Sequence, residues 1–304
     1  MMAVGDYVSA ELLVIIGTVI LLSLLLAEMC DWTRLLFTYD NPLCNYSYNE
    51  IGGPLTWKER FPQSKGELQS PINIVSSFAV VLPSETLPPL KFSAEYHLPP
   101  KDFRVYNDGH CVTIYARWSN DVRPVICGGP LRHPYQFFNA RFRWGPNDEE
   151  GSEHTIDSER FAMELQVTHI KENGKYTDLK QASEDNAVLI LSYFFQVGPV
   201  DNPYLKSLTS ALKKIQCPFN CTSLEPAPLS CLFPPFFCKY FTYNGSLTFP
   251  PCTEGVQWMI QPEPLGISSR QVRKFRKLCA VDGPIDLNTR PVQELNCRDI
   301  YFYE

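Results

Sequence analysis

The sequence predicts a mainly β fold with flanking helices, and three observations carry that expectation. Several segments alternate in polarity or are rich in β-branched residues. The chain holds 26 prolines against 16 glycines in 304 residues, many turns and crossings that suit neither a bundle nor a coiled coil. Hydrophobic residues make up 44% and charged residues 20%, enough apolar material for one large core and too much for disorder.

The predicted strands, in order, are 102–106, 111–117, 135–144, 161–169, 187–197 and 256–261, each by alternation or β-branched content. Asn107-Asp-Gly109 and Gly128-Gly-Pro130 supply turns between them. Residues 204–215 (YLKSLTSALKKI) have the 3.6-residue spacing of an amphipathic helix. Residues 268–278 (SSRQVRKFRKL) predict a second helix, with a serine as its cap. From residue 46 to the end there is no linker, repeat or charge run, so 46–304 reads as one domain: a large sheet with helices on its flanks.

The amino terminus is different in kind. Residues 12–27 (LLVIIGTVILLSLLLA) carry no charge and as a helix would span roughly 24 Å at ~1.5 Å per residue, against a ~30 Å hydrocarbon core. This stretch exceeds the usual signal-peptide core and lacks a small-x-small site, so 12–28 is predicted to be a transmembrane signal anchor, with a cleaved signal peptide as the alternative. It follows a short tail (1–11) and precedes a linker (29–45). Sequons at Asn45, Asn220 and Asn244 are glycosylation candidates. Eleven cysteines suit an oxidising compartment. Cys217, Cys221, Cys231 and Cys238 match no paired zinc spacing and are candidates for two disulfides across a loop. The expected localisation is a single-pass membrane protein with a luminal or extracellular domain, or a secreted one. The net charge of −6, without a basic run, argues against nucleic acid as a partner.

Five segments, in order, then become recognisable. Gln69-Ser-Pro-Ile-Asn-Ile74, Asn107-Asp-Gly-His110, Gly151-Ser-Glu-His-Thr155, Tyr243-Asn-Gly-Ser-Leu-Thr-Phe-Pro-Pro-Cys252 and Arg290-Pro-Val-Gln-Glu-Leu-Asn296 resemble the α-class carbonic anhydrases. The stretch 48–57 (YNEIGGPLTW) resembles the family's amino-terminal region, so the resemblance covers roughly 46–302. It implies a central twisted, mostly antiparallel sheet with a conical cleft, and a zinc held by three histidines. Two of these form a His-x-His pair, which alternation aims to one face of a strand.

At those three positions this chain has Arg141, Arg143 and Gln166. Arginine is not a metal ligand, because its guanidinium stays protonated, and without zinc there is no metal-activated water. The resemblance is therefore to the family's acatalytic carbonic anhydrase-related branch. The expectation is a catalytically inactive domain, with no zinc and no other cofactor, that binds a cell-surface or extracellular protein. The alternative is a small-anion binder using Arg141 and Arg143, since side-by-side guanidiniums suit a carboxylate or phosphate; a zinc-dependent CO2 hydratase stands third.

The remaining cleft residues implied by the resemblance are His110 (the proton-shuttle position), Glu153 and Thr248 (a hydroxyl-orienting pair), Glu164 (a carboxylate behind the zinc ligands) and Phe249, bulky enough to narrow the cleft. Burying an unpaired charge is costly, so at least one arginine is expected to pair with Glu153 or Glu164, with Thr248 close by.

Overall fold

The computed structural model describes residues 46–304 apart from Ser84, Thr86, Leu87, Asn120, Asp121 and Thr177. Seven strands build the region around the cleft: β1 (Asp102–Asn107), β2 (Val112–Arg117), β3 (Tyr135–Trp144), β4 (Met163–Lys171), β5 (Val188–Gly198), β6 (Tyr240–Ser246) and β7 (Glu254–Ser268). They belong to a twelve-stranded mixed sheet whose path runs Cys221–Ser223, β1, β2, β3, β4, β5, β7, β6, Tyr301–Tyr303, Val80–Leu82. Most pairs are antiparallel; β5 runs parallel to β7, and Tyr301–Tyr303 to Val80–Leu82. The mainly β expectation with few short helices is met.

Where observed elements differ from the predicted ones, the causes are local. Cys111 lies outside β2 because Asp108 Oδ1 accepts from the backbone N–H groups of His110 (2.8 Å) and Cys111 (2.6 Å), closing a tight loop ahead of the strand. β7 runs on through Pro262 and Pro264, although proline cannot donate to a ladder. Beyond Ile260 the strand has lost β6 and pairs only with β5, so a missing donor there costs little. The segment 204–215 breaks into a 3-10 turn, a short α-helix, α1 (Lys206–Ala211), and a second 3-10 turn, yet Leu205, Leu208, Leu212 and Ile215 are buried as the spacing requires. Helix α2 (Ser269–Phe275) begins with a capping box in which Ser268 Oγ accepts from Gln271 N–H.

The core fills one side of the sheet with Phe142, Trp144, Leu165, Val167, Leu189, Leu191, Tyr193 and Phe275. Among the described residues no helix is long and apolar enough to cross a membrane. The single-pass membrane localisation expected from sequence is thereby left unsupported; residues 12–28, on which that expectation rested, lie outside the described residues, as do 1–11, 29–44 and Asn45. Cys217, Cys221, Cys231 and Cys238 are all free thiols. They sit on different elements: Cys221 opens a strand paired with β1 at Tyr106, while Cys231 lies in the short helix Leu229–Leu232.

Candidate functional site

Register places the three key positions together. On β3 and β4, Arg141 faces Gln166 and Arg143 faces Glu164, so all four side chains share one face of the sheet. Thr113 of β2 and Ser192 of β5 extend that face on either side. The other face of β3 presents Ala140, Phe142 and Trp144 to the core.

Arg143 is the hub of the floor. It is 1% exposed, and its Nε lies 3.3 Å from Glu153 Oε2 and 3.3 Å from Gln166 Oε1. NH1 donates to the Tyr48 hydroxyl (2.8 Å) and the Asn288 carbonyl (3.3 Å), and NH2 to Thr248 Oγ1 (3.4 Å). Burial works against the guanidinium's charge, but Glu153 and the surrounding groups hold its pKa well above the usual arginine value. The pairing of an arginine with Glu153, close to Thr248, is thus present.

Gln166 completes the network through its amide. Nε2 donates to Glu153 Oε2 (2.6 Å) and Glu164 Oε1 (3.1 Å), while Oε1 lies within reach of Arg143 Nε and Thr248 Oγ1. Glu153 also accepts from Arg290 N–H at 2.8 Å. Burial raises its carboxyl above the ordinary range, with Arg143 pulling the other way.

Glu164 pairs with a histidine rather than an arginine. It takes hydrogen bonds from the backbone N–H groups of Glu153 and His154, from Gln166 and from Ser192 Oγ, and meets His154 Nδ1 at 2.9 Å. Burial alone would raise its pKa; His154 and the hydrogen bonds outweigh burial and hold it at about 2. His154 Nε2 meets the Tyr243 hydroxyl at 2.7 Å, and that hydroxyl meets Ser70 Oγ at 2.7 Å. Arg290 NH1 donates to Gln69 Oε1 (2.9 Å) and the Ser70 carbonyl (2.7 Å). Four of the five recognised segments are therefore joined by hydrogen bonds beneath the cleft.

Arg141 is buried and sits over the Phe249 ring, 4.4 Å from its centroid, while Arg143 lies 5.7 Å from the same ring. Phe249 thus does more than narrow the cleft, because its π-face meets both cations. His110 stacks on Tyr46 at 3.9 Å with planes 13° apart, and its carbonyl accepts from Asn288, a partner of Arg143. Asn220 and Asn244 are exposed. Residues not anticipated from sequence include Tyr48 and Asn288, which reach Arg143 from 95 and 145 positions away. Asn139 was also missed, though it stands one alternation step before Arg141.

The three side chains do not fit a zinc ion. Arg143 fills the floor with a guanidinium held by Glu153, and the Gln166 oxygen is turned toward Arg143 and Thr248.

Known proteins give a different view of what the chain does. The model of the eukaryotic-type carbonic anhydrase family matches residues 52–304. The chain is similar to human carbonic anhydrase 7, 37% identical over 262 residues that span 83% of this chain and 95% of that protein. It is likewise similar to mouse carbonic anhydrase 7, 36% identical over the same shares. Both relatives are named for an activity, and no observation gives positive support to inactivity. The expectation of a catalytically inactive binding module, and of a non-enzyme, is corrected on that ground. The expectation of no zinc falls with it, since the relatives point toward the metal that the resemblance implies. The floor bears on what three side chains can hold; the relatives bear on what the whole chain is for. Nothing in the comparison singles out an acatalytic branch, and at the level that is shown the chain belongs to the eukaryotic-type, or α-class, carbonic anhydrase family.

Proposed function

We propose that this chain works in CO2–bicarbonate chemistry, the activity its relatives are named for, and that bicarbonate is held at the cleft floor beside Arg141. The observation that carries this reading is a second buried guanidinium on the floor: Arg141 lies beside the Arg143–Glu153 pair, over the face of the Phe249 ring. A planar, two-pronged cation in a buried site suits a planar oxyanion. Family membership across residues 52–304 supplies the substrate class.

The test is bicarbonate binding by calorimetry at fixed ionic strength, with CO2 hydration and zinc content measured on the same preparation. Saturable binding that weakens at least about tenfold in Arg141→Ala, equivalent to about 1.4 kcal/mol, is expected. Equal binding by wild type and Arg141→Ala overturns it. A chain that hydrates no CO2, with or without added zinc, also overturns it.

A further inference from the structure

The strand face that carries Arg141 and Arg143 begins with a third polar residue. Asn139 is fully buried, and neither its Nδ2 nor its Oδ1 has a hydrogen-bond partner within the protein. β3 bulges between Phe137 and Asn139, and from there onward it alternates regularly: Asn139 faces Thr168, Arg141 faces Gln166, Arg143 faces Glu164. The three side chains therefore stand in a row on one face, with about 6.6 Å of strand between successive members. Buried side-chain amides are rarely left with both ends unmatched, because each orphaned atom has given up its bonds to water. Gln166, one strand over, shows what a satisfied amide looks like here, with both its nitrogen and its oxygen engaged.

We propose that Asn139 is the specificity-determining residue for bicarbonate at this floor. An amide offers one donor and one acceptor side by side. Bicarbonate presents the complement: its hydroxyl donates to Asn139 Oδ1, its carbonyl oxygen accepts from Nδ2, and its remaining oxygen carries the charge toward Arg141. Formate and nitrate have no such hydroxyl, so they satisfy only the donor half and leave Oδ1 orphaned. The bulge before Asn139 is the structural device that sets this register, since bulges re-aim side chains beside sites. Phe249, half-buried with its face on Arg141, supplies the apolar wall.

The assignment rests on the bicarbonate reading above and adds the group that recognises the ligand's shape. The test compares bicarbonate with formate and nitrate, as sodium salts at equal ionic strength, on the full chain. Wild type, Asn139→Leu and Asn139→Ala are measured by calorimetry and by thermal melting without added anion. Wild type is expected to prefer bicarbonate by at least about tenfold. In Asn139→Leu the preference should fall to near one, while the anion-free melting temperature stays level or rises, because a near-isosteric apolar group replaces an unmatched amide. Asn139→Ala should lose the preference in the same way if leucine perturbs the fold. A wild type that binds no bicarbonate sinks the preceding reading. A wild type that binds it, beside variants with the same preference, sinks only the Asn139 assignment. Asn139→Leu and Asn139→Ala that both melt well below wild type without anion also overturn the assignment, because the amide would then be serving the fold.

Discussion

The two faces of strand β3 are equally dry and are stabilised by opposite means. Ala140, Phe142 and Trp144 are fully buried on one face, and Asn139, Arg141 and Arg143 are all under 5% exposed on the other. On the core face Phe142 packs against Phe275 at 5.2 Å and Phe195 at 6.4 Å between ring centroids, contacts that are non-directional and individually small. On the cleft face Arg143 alone gathers groups from five separate segments: Tyr48, Glu153, Gln166, Thr248 and Asn288. Packing spreads its contribution over many atoms, whereas a polar network concentrates it, so that each member's loss strands its partners.

The largest effects test that contrast directly. Phe142→Ala should cost about 3–5 kcal/mol through lost burial and a cavity. Arg143→Met should cost a similar ~3–5 kcal/mol for another reason, since Glu153 would remain buried without its cation. The two separate when a second change is added. Glu153→Gln placed on Arg143→Met should recover part of the loss, because the stranded charge is gone, whereas no neutralising change rescues Phe142→Ala. Denaturant unfolding of the single and double variants measures this, and a double variant as unstable as the sum of its singles would erase the distinction.

A middle-sized effect comes from acid. The folded Glu164 carboxyl titrates at about 2, below the ordinary value of ~4.3. Its contribution is therefore complete above pH ~4.3 and lost as pH falls toward 2. His169 is buried and held at about 3, chiefly by burial, against an ordinary ~6.5. The unfolded chain takes that proton first, so stability also falls as pH drops from ~6.5 toward 3. Wild-type unfolding midpoints should decline in two stages, beginning near pH 6.5 and steepening below ~4.3. Glu164→Gln should cost about 1–3 kcal/mol at neutral pH and flatten only the lower stage. If it flattens the upper stage, the two groups have been assigned to the wrong limbs.

What was legible in the sequence follows the same division. β3 is found at its predicted bounds because one face alternates cleanly with the other, and a buried arginine calls for a carboxylate wherever it lies. The identities of the other partners were not legible. Tyr48 and Asn288 come to Arg143 across long sequence separations that no local periodicity encodes. Glu164 was a candidate partner for an arginine, yet it is turned to His154 by a turn that presents two backbone N–H groups to the same carboxylate. The run of β7 through Pro262 and Pro264 was hidden because the loss of β6 beyond Ile260 and the break in the β5 register at 262–264 together make those prolines harmless. The expectation of inactivity came from three side chains, and it gave too little weight to likeness over the rest of the domain.

Thr248 provides the smallest and most discriminating probe of the cleft face. Its hydroxyl lies 3.4 Å from both Arg143 NH2 and Gln166 Oε1 and also serves the Glu153 carboxyl. These are long contacts, and a single hydroxyl proton cannot satisfy two acceptors at once, so each is weak. Thr248→Val keeps the shape and removes only the hydroxyl. If the network's strength lies in the Arg143–Glu153–Gln166 triangle, the cost should be about 0.5–1.5 kcal/mol, the net value of one ordinary hydrogen bond. Arg143→Met combined with Thr248→Val should then cost less than the sum of the two, because the methionine has already removed one of the hydroxyl's partners. A loss near that of Arg143→Met itself would mean that Thr248, rather than the ion pair, organises the floor, and the contrast between a diffuse core and an arginine-centred cleft would have to be redrawn around it.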